Sequence, residues 1–165
     1  MKARGVKDLD PRAPLRPNAA RIVRIRLDEL RGFADGALVS DAGAAQHDMR
    51  IAAKRLRYVL EIVGPCIGEE AKVARDAAKQ LQSVLGDLHD CDLMLPKVEP
   101  IDSAAALLHE RRNHLFHDFA ALWQAEASKG TWAALEATSR PRSLDLHREL
   151  PARSQVFPAN SELWR

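Results

Sequence analysis

His47-Asp48-Met49-Arg50-Ile51-Ala52-Ala53-Lys54-Arg55-Leu56-Arg57-Tyr58 has the period of an amphipathic helix. With His47 at zero and 100° per residue, Arg50, Lys54, Arg57 and Tyr58 fall at about 300°, 340°, 280° and 20°. The apolar residues fall opposite, with Met49, Ala52, Leu56, Val59, Leu60 and Val63 between about 120° and 220°. One stripe is therefore made for burial, while three cations and a titratable histidine share the other side. Like charges at i,i+3 and i,i+4 repel by about 0.2–0.5 kcal/mol per pair. Such stacking is offset by carboxylates or by a bound anion, and a solvated basic face shows the same pattern. His47 lies near the helix N-terminus, where free N–H groups and the macrodipole also favour negative charge.

Helical periodicity continues outward on both sides. Residues 1–17 hold Pro11, Pro14 and Pro17 among basic residues and read as a flexible arm. Asn18 is a candidate cap for a first helix over about 19–35, with Ile22, Val23, Leu27, Leu30, Phe33 and Ala34 inward. Ser40 or Asp41 would cap the second helix, and Gly64-Pro65 would stop it. A third is expected from Glu69 to Leu95, with Val73, Ala77, Leu81, Val84, Leu85 and Leu88 inward and Pro96 closing it. The fourth opens at Asp102 or Ser103 and runs to Ser128, carrying Leu108, Leu115, Phe116, Phe119, Leu122 and Trp123. Thr131 to Ala137 add a short helical extension. The expected fold is all-α, a four-helix bundle over residues 18–138 between the arm and a poorly structured tail, 139–165.

Composition agrees. The 165 residues suit one domain, and 46% hydrophobic with 29% charged residues is the globular range. Aromatics are 5%, so sheet-forming runs are scarce. No stretch approaches the 18 or so apolar residues of a membrane span, and no apolar segment follows the N-terminus as in a secretory signal. Cys66 and Cys91 lack CxxC spacing and suit a reducing cytoplasm. The net charge of +2 is unevenly spread: residues 1–30 carry +4, 47–60 carry +3, and 61–102 carry −5. A basic region beside an acidic one favours an anionic partner on one face.

Three His-Asp dipeptides (His47-Asp48, His89-Asp90, His117-Asp118) raise an HD-like metal-dependent phosphohydrolase as the alternative. Neighbours on a helix point about 100° apart, and the cations around His47 repel a divalent ion, so no metal ligands and no cofactor are assigned. Asp87, Asp90 and Asp92 read as partners that position basic side chains. Arg112 falls within the apolar stripe of its helix and needs a partner there, either Asp92 or a bound phosphate. Nucleophile triads, Walker loops and GxGxxG are missing from the sequence, and no catalytic residue is assigned.

His47-x-x-Arg50-Ile51-x-x-Lys54-Arg55-Leu56-Arg57-Tyr58 followed by Leu81-Gln82-x-x-Leu85-Gly86-x-x-His89-Asp90-x-Asp92 resembles the CHAD family, the conserved-histidine α-helical domain. The resemblance spans residues 17–128, taking in the Arg-rich helix at 21–31 and the later helix with Arg111 and Arg112. It implies a helical bundle whose basic helices bind inorganic polyphosphate without catalysis. His89 stands where the family usually has Arg. Family members carry two related four-helix halves, so a single half implies a homodimer that brings two basic faces together. Tyr58 is the only aromatic residue near the stripe, which favours polyphosphate over nucleic acid, whose bases need stacking platforms. A scaffold binding nucleic acid or an acidic protein through the same face is the remaining alternative.

The expected polyphosphate-binding residues are His47, Arg50, Lys54 and Arg57, with Arg21, Arg24, Arg31, Arg111 and Arg112 secondary. Tyr58, Gln82, His89, Asp90 and Asp92 support them.

Overall fold

A computed structural model describes residues 3–140, which form four long helices and two short ones. They are α1 (Leu15–Gly32), α2 (Ala34–Ala37), α3 (Gly43–Ile67), α4 (Glu69–Val98), α5 (Asp102–Ser128) and α6 (Thr131–Thr138). The all-α expectation holds for the described residues. Nearly all of the expected tail, from residue 141 on, lies outside them.

The core forms where the apolar stripes meet. Val23, Leu27 and Leu30 of α1 pack with Met49, Leu56 and Leu60 of α3 and with Leu81 and Leu85 of α4. Each buried Leu contributes about 1.5–3 kcal/mol relative to exposure. Between α3 and α4 the buried residues include Ala52, Ala53, Ala71, Ala74 and Ala78, whose small side chains let two long helices run close together. α5 packs mainly on α4 and buries far less, with only Phe119 and Glu126 fully buried. The rest of its expected stripe is half-buried. α6 closes that side through Trp132, stacked on Trp123 with ring centroids 5.6 Å apart.

Several boundaries differ from the sequence reading. α1 begins at Leu15, because Pro17 falls in the first turn, where its missing N–H costs no hydrogen bond. Asn18 is no cap: its side chain accepts from Asp10 N (3.1 Å) and donates to Asp10 O (2.6 Å). The described part of the arm is thus fastened to α1, with Arg26 donating to the Arg4 carbonyl (2.9 Å) and the Arg4 amide to the buried Glu29. The reading of a flexible arm is corrected by these contacts. At the other end, a break at Phe33 separates α1 from α2.

α3 starts at Gly43 without a side-chain cap and passes through Pro65 to Ile67. Proline in a final turn removes one hydrogen bond, here to the carbonyl of exposed Glu61, and the tertiary packing of Val63 and Ile67 outweighs that loss. The true stop is Gly68, at φ 137°, a conformation that L side chains rarely adopt. As the single residue between α3 and α4 it reverses the chain, so α4 runs antiparallel along α3 as far as Asp92, which meets Gly43. α4 likewise extends past Pro96 to Val98. Val73, expected inward, is 50% exposed.

Candidate anion-binding face

The antiparallel pairing of α3 with α4 brings the two sequence motifs side by side, rung by rung. At one end the rings of His47 and His89 lie 4.5 Å apart, tilted by 48°. They line an open cleft of about 460 Å³ with Gly43, Ala44, Asp48 and Asp92. One step along, the guanidinium of Arg50 lies over Gly86, its Nε 3.4 Å from where a Cβ would stand. Further on, Arg57 Nε donates to Gln82 Oε1 (2.9 Å) and Nη1 to Glu61 Oε1 (2.5 Å). The Arg57 guanidinium also sits 4.3 Å from the Tyr58 ring centroid, with Lys54 Nζ at 5.7 Å. His47, Arg50, Lys54 and Arg57 therefore share one seam about 15 Å long, from ten residues at the helical rise.

Arg50 and Lys54 have no carboxylate partner among the described residues. Arg50 Nε and His47 Nδ1 are both buried without a hydrogen-bond partner among those residues. Burial, reinforced by His89 and Arg50 and opposed by Asp48, lowers the His47 pKa below its usual 6.5. The seam thus holds cationic groups whose hydrogen-bonding capacity is only partly used.

Arg112 has the opposite character. Its Nε donates to Asp92 Oδ1 (2.5 Å), its Nη1 to the Ser40 carbonyl (2.7 Å) and its Nη2 to Gln46 Oε1 (3.1 Å). Gln46, almost fully buried, turns its amide nitrogen to the carbonyls of Ala37, Val39 and Ser40. The unit ties α5 to α4 and to the start of α3, and Asp92 Oδ2 lies 3.0 Å from a Cβ built on Gly43. Of the two partners expected for Arg112, the structure supplies Asp92.

The remaining assigned residues are not brought to the seam's paired rungs. Arg21 donates to Asp8 Oδ2 (2.6 Å) and to the Lys7 carbonyl (2.7 Å), holding the arm. Arg31 pairs with Glu136 of α6 (2.7 Å), and this pairing, with Arg140, lowers the Glu136 pKa. Arg24 is half-buried, its Nε without a partner among the described residues, while Arg111 and Asp90 are exposed.

Sequence reasoning missed Gln46 and Gly86. Gln46 is a polar residue at the edge of the apolar stripe, a weak signal. A glycine inside a helix, as at 86, hints at a close approach but does not say by what. Burial raises the Cys91 thiol pKa, so this cysteine is a packing residue. Among the described residues, no group of three or more His, Cys, Asp or Glu is placed to hold a metal ion. No described helix is long and apolar enough to cross a membrane.

A bundle whose paired central helices carry these two motifs defines the class, and the family comparison agrees. The CHAD domain matches residues 3–98, more than half of the chain and the whole of the α3–α4 pair, and the protein belongs to that family. Neither the curated proteins nor the solved structures compared with the chain gave a match.

Proposed function

We propose that the α3 face binds inorganic polyphosphate as a non-enzymatic module, with His47, Arg50, Lys54 and Arg57 as the primary contacts. The observation that carries this reading is the contrast in pairing. Arg50 and Lys54 are cations without a carboxylate partner among the described residues, and buried donors next to them are unused. A flexible polyanion with no bases to stack needs guanidinium and ammonium groups repeated along a face, with Arg favoured for bidentate contact to phosphate oxygens. Arg112 and Arg31 are spent on carboxylates and act as structural ties. The setting is the cytoplasm, in keeping with two unpaired thiols.

Two copies brought together across a two-fold axis would double the basic surface, with exposed Ile62 and Tyr58 beside the stripe to form the seam. Light scattering with and without polyphosphate tests this, and a monomer in both conditions defeats it. The binding reading is tested by titrating the protein with tripolyphosphate, long-chain polyphosphate and single-stranded RNA while assaying phosphate release. Saturable polyphosphate binding without release is expected. Tighter RNA binding, or turnover, overturns it.

A further inference from the structure

We infer that the anion track does not end at Arg57 but continues along α4 over Lys79, Arg75 and Lys72, so that the protein selects long polyphosphate chains over short ones. This inference rests on the proposed reading of the α3 face.

The register of α4 carries the argument. Residues 72, 75, 79, 82, 86 and 89 follow one another at spacings of three and four, and on a helical projection they share an arc of about 100°. Three of these positions are already seam partners: His89 meets His47, Gly86 underlies Arg50 and Gln82 receives Arg57. The other three are basic and continue the same face toward the α3–α4 turn. Lys72 is 61% exposed and the Arg75 side chain 36%, so both present their charge outward. They line a second open depression, about 310 Å³, together with Glu61, Gly64 and Pro65 of α3. The seam therefore has a cleft at each end with the Arg50–Arg57 ridge between them. From His89 to Lys72 it measures about 25 Å along the helix axis.

Glu61 stands where the two parts join. It holds Arg57 at 2.5 Å and lines the second depression beside Arg75 and Lys72. A chain running past Arg57 has to displace this carboxylate, whereas a short chain bound between His47 and Arg57 does not have to cross it. The side-chain carboxylates that hold Arg75 and Lys72, those of Asp76 (2.8 Å) and Glu69 (3.1 Å), are exposed and cheap to exchange for phosphate. Length selection follows, since only a long polyanion gains the contacts beyond Glu61.

The test compares tripolyphosphate with long-chain polyphosphate by calorimetry on the full chain. In the triple variant Lys72→Gln, Arg75→Gln, Lys79→Gln, long-chain affinity should fall about tenfold, from three exposed ion contacts. Tripolyphosphate affinity should stay within about twofold, since its contacts lie elsewhere. Glu61→Gln should strengthen long-chain binding more than tripolyphosphate binding. Equal losses for both ligands in the triple variant, or none for the long chain, overturn the extended track. Failure of the wild-type protein to bind tripolyphosphate and long chains alike overturns the underlying reading instead. Thermal unfolding of each variant, expected to match wild type, shows that lost binding is not lost fold.

Discussion

Arg50 and Arg112 both lie toward the same end of the α3–α4 pair, and their environments differ sharply. Arg112 reaches from α5 and makes three hydrogen bonds, one to each of α4, α3 and the segment before α3. Arg50 rests on a glycine, and its buried Nε has no hydrogen-bond partner among the described residues. A guanidinium that meets a carboxylate and two neutral acceptors is a structural tie. One held in place with donors unspent is stabilised less by its own fold and is available to a ligand. Identity of residue type thus says little, and the distribution of partners says most.

Replacing Arg112 by Ala is the strongest challenge to that contrast. It leaves part-buried Asp92 and the amide of Gln46 without a donor and should cost about 2 kcal/mol of stability in urea unfolding. Any loss of polyphosphate affinity in this variant should follow the loss of folded protein. If stability is unchanged while binding collapses, Arg112 is a ligand contact and the contrast is wrong.

Arg50→Ala should do the reverse, with stability held or slightly raised by relief of repulsion from Lys54. Polyphosphate affinity should drop about tenfold, the scale of one charged hydrogen bond. The log–log salt slope should flatten by up to about 0.7, by analogy with single-stranded nucleic acid. Arg50→Lys keeps the charge but not the bidentate fork, so it should recover only part of the affinity. Unfolding of Arg50→Ala without a binding defect in the folded fraction would assign the residue to structure.

pH separates the two regions more gently. The folded state holds the His47 pKa below the ordinary 6.5, so on acidification the unfolded chain binds the proton first. The stability that neutral His47 contributes is present above about pH 6.5 and is lost as pH falls through the folded value. A polyanion bound beside His47 would favour the charged imidazole and so raise that pKa. Affinity should therefore climb as pH drops from 7.5 to 5.5 while ligand-free stability declines. His47→Gln should flatten both profiles; steep profiles in that variant would place the titrating group elsewhere.

The smallest effect is expected at Arg31, whose pair with Glu136 is about a third exposed on each side. Arg31→Ala should leave the urea midpoint almost unchanged and polyphosphate affinity within about twofold. A tenfold loss of affinity would return Arg31 to the binding surface.

The helices and the basic stripe were legible because they are local. Met49, Leu56 and Leu60 recur at the period that buries one face, and Arg50, Lys54 and Arg57 fall opposite by the same arithmetic. Helix ends were read less well at Pro17, Pro65 and Pro96. Proline's missing N–H matters little in the first turn, and late in a helix it costs one bond that packing can outweigh. Gly68 was the real stop, through a backbone angle and not through its place in a turn motif.

Sequence by itself determined that this is an all-α bundle with one basic helical face and the two motifs of its family, since periodicity and residue order are properties of the chain alone. Which arginines keep their charge free was decided only by tertiary structure. Periodicity marked Arg112 as needing a partner without choosing between Asp92 and a phosphate, and nothing in the sequence marked Arg31 as paired; their carboxylates arrive from 20 and 105 residues away. Pairs within one helix, such as Arg57–Glu61 at i,i+4, follow from spacing alone, whereas the pairs of Arg31 and Arg112 are set by distances of a few ångströms between separate helices, which no single helix encodes.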